Sequence, residues 1–151
     1  MINQSFFVRD EGKYVRLNLS EILIIVTDGN YIRFFGVDYM HLVRGTLEGT
    51  LSLLPEGMFA RTHKSFAVSL LHLLEVEKEQ AIVGNPNFKE IDKGAIKVDA
   101  HYLQETTETS VNIRSIAVPV AKQYYTELVS KLTVINKAQT KVPQPGATNE
   151  P

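Results

Sequence analysis

Five consecutive residues, Arg61-Thr62-His63-Lys64-Ser65, gather two cations, an imidazole and two hydroxyls. Three chemistries are open to such a cluster. Ser65 near His63 suggests a nucleophile and its base, but that pairing needs a carboxylate to orient the imidazole, and no Asp or Glu lies close by in sequence. Metal ligation is poorly supported: His41, His63, His72 and His101 show neither H-E-x-x-H spacing nor a carboxylate in a metal-type pattern. The third chemistry is contact with nucleic acid. Arg61 and Lys64 can meet phosphates or the O6 and N7 of guanine, and Ser65 can donate to a phosphate. Elsewhere Asn30 can pair bidentately with adenine or donate to backbone oxygens, and Tyr31 offers a hydroxyl and an apolar ring. The plainer reading stands beside this one: Arg61 and His63 brace a loop by hydrogen bonds, Tyr31 packs in a sheet, and Lys122, beside Tyr124-Tyr125, begins a solvated helix.

Composition narrows the field. There is no cysteine, which removes disulfides, thiolate catalysis and cysteine-ligated metal. Phosphate-cradling G-x-x-x-x-G-K-[ST] and G-x-G-x-x-G loops and the G-x-S-x-G elbow are all missing. Neither an enzyme nor a cofactor is expected. The hydrophobic fraction of 44% and charged fraction of 22% suit a folded globular chain, and 151 residues suit one domain. The opening MINQSFFVRDEGK has no basic segment followed by a long apolar one, and no apolar run approaches the ~18–20 residues of a membrane span. A cytoplasmic protein without membrane association is expected. A net charge of −1 argues against nucleic acid unless the positive charge is local.

The elements that must position these residues are short. Ser5–Arg9 and Lys13–Asn18 alternate around Asp10-Glu11-Gly12 and predict a hairpin. Ile22–Thr27 is a β-branched run and predicts a buried strand. Asp28-Gly29-Asn30 is turn chemistry, followed by strands at Tyr31–Phe35 and Tyr39–Arg44. Leu47, Leu51 and Leu54 share one helical face behind Thr46, a fair N-cap. Strands are expected at Met58–Arg61, Leu71–Glu77 and Val111–Val120, with weaker pairing among Ala81–Gly84, Ile91 and Ala95–Val98. An amphipathic helix, Ala121–Leu132, closes the fold through Tyr125, Leu128, Val129 and Leu132. Residues 133–151 carry Pro143, Pro145 and Pro151 among polar residues and are expected to form a flexible tail.

At Arg61-Thr62-His63-Lys64-Ser65-Phe66-Ala67-Val68-Ser69-Leu70 the chain resembles the R-x-H-[RKN]-S-[FY]-x-V-N-L segment of the LytTR DNA-binding domain, the output module of LytR/AgrA-type response regulators. Four further pieces follow the family's order: FFVRDEGKYVRLNLSEILII, DGNYIRFF, VRGTLEGTLSLLP leading into MFARTHKS, and IAVPVAKQYYTELVSKL. The resemblance spans residues 6–132. It implies an elongated antiparallel β sandwich of short strands with one short internal helix and a C-terminal helix. It also implies sequence-specific binding of double-stranded DNA at direct-repeat sites, with loop residues in the major groove, duplex bending and transcription regulation. Lys122 and Gln123 stand where the family carries a polar, often basic, DNA-contacting loop. The implied DNA-binding set is Asn30, Tyr31, Arg33, Arg61, His63, Lys64, Ser65, Lys122 and Gln123, and a homodimer on DNA is a further implied partner state.

Three departures qualify the resemblance. Ser69 stands where the family usually has Asn, and Ala121 replaces the usual Ser or Arg. About thirty extra residues, near 78–110, separate the LEVE strand from the last one. That stretch holds four lysines against six acidic residues, so the rest of the chain carries a net +1. It could extend a sheet, hold a regulatory protein or block DNA. With no receiver region ahead of residue 6, the chain reads as a stand-alone domain of residues 1–132. Two other readings compete. One is a protein-interaction module on the same scaffold, using Phe88, Ile96 and Tyr102. The other is a barrel stacking single-stranded bases on Tyr31, Phe34 and Phe35, of which the last two face opposite ways along a strand. DNA binding requires Lys64, Lys122, Arg33 and Arg61 on one positive face.

Overall fold

The computed structural model describes residues 5–87, 97–99 and 114–136. Phe88, Ile91, Ile96, His101 and Tyr102, the expected strand start at 111–113 and the tail from 137 lie outside the described residues. Strands β1 (Ser5–Asp10) and β2 (Lys13–Asn18) form a two-stranded sheet of their own. Their two-residue turn places Glu11 at φ 52° and Gly12 at φ 82°, the left-handed pair that matches strand twist in a tight hairpin.

The five-stranded central sheet has the order β5-β4-β3-β7-β6. It consists of β3 (Ile22–Asp28), β4 (Tyr31–Gly36), β5 (Met40–Arg44), β6 (Phe59–His63) and β7 (Phe66–Ser69). Both of its faces are covered, which explains why β3 is apolar without alternation. Ile22 and Ile25 join Val8, Leu17, Ile32 and Phe34 under the β1–β2 hairpin. Leu23, Ile24 and Val26 join Phe35, Phe66, Val83, Ile116 and Val118 on the other face. Adjacent Leu23 and Ile24 share that face because the ladder slips between Ile22 and Ile24: Ile22 pairs with Gly36 and Ile24 with Phe35. The bulge leaves Leu23 as the extra residue and shifts the in-out alternation by one. Phe34 and Phe35 do point to opposite faces, and both are buried, so neither is a platform for a base.

Helix α1 (Leu47–Leu53) lies against the hairpin side. Thr46 caps it as expected, its Oγ1 accepting from Gly49 N at 3.0 Å. In the β4–β5 connection the Tyr39 ring lies where a Cβ on Gly36 would have to be. Tyr39 Oη is buried with no hydrogen-bond partner among the described residues. Burial, with Glu21 and Asp38 nearby, pushes its phenol far above the ordinary tyrosine range.

The third sheet has the order β10-β11-β9-β8, from β8 (Leu73–Val76), β9 (Gln80–Gly84), β10 (Lys97–Asp99) and β11 (Ser115–Pro119). Gln80–Gly84, inside the segment expected to be extra, is a regular strand paired with both β8 and β11. Where Ala95–Val98 was expected to pair with the neighbouring strands, β10 runs parallel to β11, an exception in an otherwise antiparallel fold. Asn85 is buried just past β9 and donates from Nδ2 to Val37 O at 2.7 Å, tying this sheet to the β4–β5 connection. Helix α2 (Lys122–Ser130) packs Leu128 among Ala60, Ala81 and Val120.

Candidate nucleic-acid interface

Strand register brings the loops of interest to one pole of the molecule. Asp28 pairs with Tyr31, Tyr31 with Arg44, Val26 with Phe66 and Phe66 with His63. The end of β3, the start of β4, the end of β5, the β6–β7 turn and the start of α2 therefore lie side by side. At ~4.8 Å per strand, the five strand ends span about 20 Å.

The β6–β7 turn is built most tightly. A second bulge falls at Thr62, between the Arg61–Ala67 and His63–Phe66 pairs, and buries Thr62 completely. Thr62 O accepts from Ala121 N at 2.7 Å, and Ser65 O accepts from Thr27 N at 2.9 Å. One bond fixes the turn to the N-terminus of α2, the other to the end of β3. Arg61 curls over its own loop: Nε donates to His63 O at 3.3 Å and Nη2 to Lys64 O at 2.6 Å. Its guanidinium lies 5.6 Å from the centre of the Tyr124 ring. His63 Nδ1 accepts from Ser65 N at 3.1 Å, and its ring meets Phe66 edge-on at 5.5 Å. The backbone is thus held from inside, and the Lys64 side chain is left exposed at the tip.

The β3–β4 turn uses Gly29 at φ 65°. Asn30 O accepts from Gly45 N at 2.9 Å while its side chain is exposed. Tyr31 is 44% exposed. Arg44 stacks over its ring at 5.7 Å and Nη1 donates to its Oη at 3.4 Å. Arg33 is mostly covered and pairs with Asp28 at 3.3 Å. Lys122 and Gln123 are exposed in the first turn of α2, and Ala121 before them contributes no side-chain cap.

All nine expected residues therefore belong to one pole, but they do not present themselves alike. Asn30, Lys64, Lys122 and Gln123 reach outward, Tyr31 is half exposed, Ser65 is part-buried, Arg61 and His63 hold the turn, and Arg33 is paired with Asp28. Of the four cations expected on one positive face, Lys64 and Lys122 are therefore the two that stand exposed. Arg44 was missed by the sequence reading. Its signal is the register of the β4–β5 hairpin, which sets it directly across from Tyr31. Over residues 28–33, 44, 61–65 and 121–124 the chain carries five cations and one carboxylate, and the exposed Glu77-Lys78-Glu79 turn, whose Glu79 O accepts from Val120 N beside α2, adds one cation and two carboxylates. The −1 net charge therefore coexists with a basic pole.

The class of protein is thus a β scaffold that gathers basic loop tips at one pole. The chain belongs to the LytTr DNA-binding domain family, whose sequence model matches residues 12–105. It is thereby a DNA-binding domain of the transcription-regulating, non-catalytic kind. Among solved structures it is similar to the LytTr DNA-binding domain of a Bacillus cereus response regulator. The identity is 13%, over 85% of this chain and 96% of that one, with a TM-score of 0.56, a likeness of fold. No curated protein matches the chain. Among the described residues no helix is long and apolar enough to cross a membrane.

Proposed function

We propose that this domain reads double-stranded DNA with the loop tips of its basic pole, and that Lys64 and Asn30 enter the major groove. The supporting observation is the pair of backbone bonds, Thr62 O to Ala121 N and Ser65 O to Thr27 N, which hold three loops in one rigid row. The row, about 20 Å long, exceeds the ~12 Å width of a major groove. Its centre can therefore enter the groove while its flanks meet phosphates on either side. In this reading Lys64 contacts a phosphate or guanine, Asn30 contacts adenine, and Ser65 donates to a phosphate. Lys122 and Gln123 form a second contact from α2. Tyr31 and Arg44 act as a stacked pair on the opposite flank, and Arg61 and His63 are positioning residues. Direct-repeat sites, each taken by a single copy or by a pair, are the implied targets. The rival protein-interaction reading draws on near-neutral charge, Ser69 and Ala121; the local excess of cations over carboxylates at this pole favours DNA over it.

A salt titration tests the proposal. Lys64→Ala is expected to weaken binding to every duplex and to lower the slope of log K against log salt by about 0.9, the loss of one phosphate contact. Unchanged affinity and slope would remove Lys64 from the interface.

A further inference from the structure

The β1–β2 hairpin carries a surface that packing does not require. Its inward residues Phe6, Val8, Val15 and Leu17 meet the central sheet. Its outward face shows Phe7, 55% exposed, and Tyr14, 69% exposed, each under a guanidinium. Phe7 is the cross-strand partner of Arg16, and Arg9 of Tyr14. Arg16 lies 4.8 Å from the centre of the Phe7 ring, and Arg9 lies 5.6 Å from that of Tyr14. The result is a checkerboard of two cations and two rings. The carboxylate of β1, Asp10, turns inward to His41 Nδ1 at 2.8 Å, while Glu11 and Lys13 bring one charge of each sign to the turn. Among the described residues neither Arg9 nor Arg16 has a carboxylate partner, and Arg16 donates to Ser5 Oγ at 2.9 Å. A guanidinium laid on a ring is held in place with its N–H edge outward, which favours bidentate contact with phosphate.

This face adjoins the basic pole. A cleft of about 540 Å³ has Arg9 and Gly12 on its hairpin side and Val43 and Arg44 on its sheet side. Arg44 in turn stacks on Tyr31. Arg9 and Arg44 therefore face one cleft from opposite sides, with largely apolar walls between them.

We infer that the outward face of the β1–β2 hairpin is a second, sequence-independent phosphate-binding surface, which takes the DNA backbone flanking the site read by the loops. The inference rests on the DNA-reading proposal above. Charge complementarity favours a polyanion, and continuity with the basic pole favours the same duplex over a separate acidic protein.

The test uses the full chain and two duplexes, each built on a site selected from random sequences. One ends at the selected site; the other extends about one helical turn of ~10 bp beyond it on both sides. The wild type is expected to bind the extended duplex more tightly and with the steeper salt slope. In the double variant Arg9→Gln, Arg16→Gln the slope on the extended duplex should fall by about 1.8, two contacts at ~0.9 each, with the short duplex unaffected. Arg9→Lys, Arg16→Lys should retain most of the slope, and thermal melting should show both variants folded. Equal wild-type binding to the two duplexes overturns the hairpin surface alone. So does a variant that loses nothing on the extended duplex, or that loses equally on both. Failure of the wild type to bind either duplex overturns the DNA-reading proposal together with this one.

Discussion

Arg61 and Lys64 stand three residues apart, one bonded to its own loop and the other exposed at the tip, and replacing each should separate stability from affinity. Arg61→Ala removes a 2.6 Å bond to Lys64 O, a longer bond to His63 O and the stacking on Tyr124. A bond from a charged donor is worth about 1.5 kcal/mol at the low end that suits a part-exposed loop. An exposed cation–π contact adds about 0.5 kcal/mol. The expected loss is about 2 kcal/mol, or roughly 4–8 °C in Tm for a chain of this length. Arg61→Lys keeps the charge but cannot span two carbonyls, so most of that loss should remain. Lys64→Ala, at an exposed tip, should stay within about 0.5 kcal/mol of wild type while losing DNA affinity. Urea melts of the three variants without DNA, paired with salt titrations on one duplex, measure both quantities. If Arg61→Lys melts like the wild type, Arg61 is not a brace, and its role must lie on the DNA side.

Three stability effects follow from local geometry. Thr46→Ala removes the cap on Gly49 N and should cost about 1 kcal/mol in a urea melt; no loss would mean that α1 is held by packing alone. Gly36→Ala drives a methyl into the Tyr39 ring and should cost at least about 1–3 kcal/mol, while a neutral result would show that this connection rearranges freely. Tyr39→Phe removes a buried hydroxyl that has no partner among the described residues. It should leave stability equal or raise it by up to about 1 kcal/mol, and a clear loss by calorimetry would reveal a hydrogen bond at that oxygen.

Much of the scaffold could be read from residue patterns because each pattern had a local cause. The Asp10-Glu11-Gly12 turn, the Thr46 cap and the opposed Phe34 and Phe35 depend on neighbours a few residues away. Strand β3 read as buried because it touches two layers, although its bulge at Leu23 left no mark in the sequence: an extra apolar residue in an apolar run changes the register without changing the pattern. The bulge at Thr62 was hidden for a related reason, since its effect is to aim a loop. The parallel strand β10 and the Arg44–Tyr31 stack come from pairings across the chain, which periodicity does not report. At the candidate interface, residue types picked out loops that share one pole but not which of their cations stay exposed. Arg61 and Arg33 are as cationic as Lys64 in sequence, and it is Lys64 O, His63 O and Asp28 that take them up.

Asn85 holds the end of β9 against Val37, at the pole away from Lys64 and Lys122. Asn85 N also donates to Arg114 O at 2.8 Å, just before β11. Both bonds lie far from the basic loops. A substitution at Asn85 can therefore loosen this end of the third sheet while the opposite end keeps its shape.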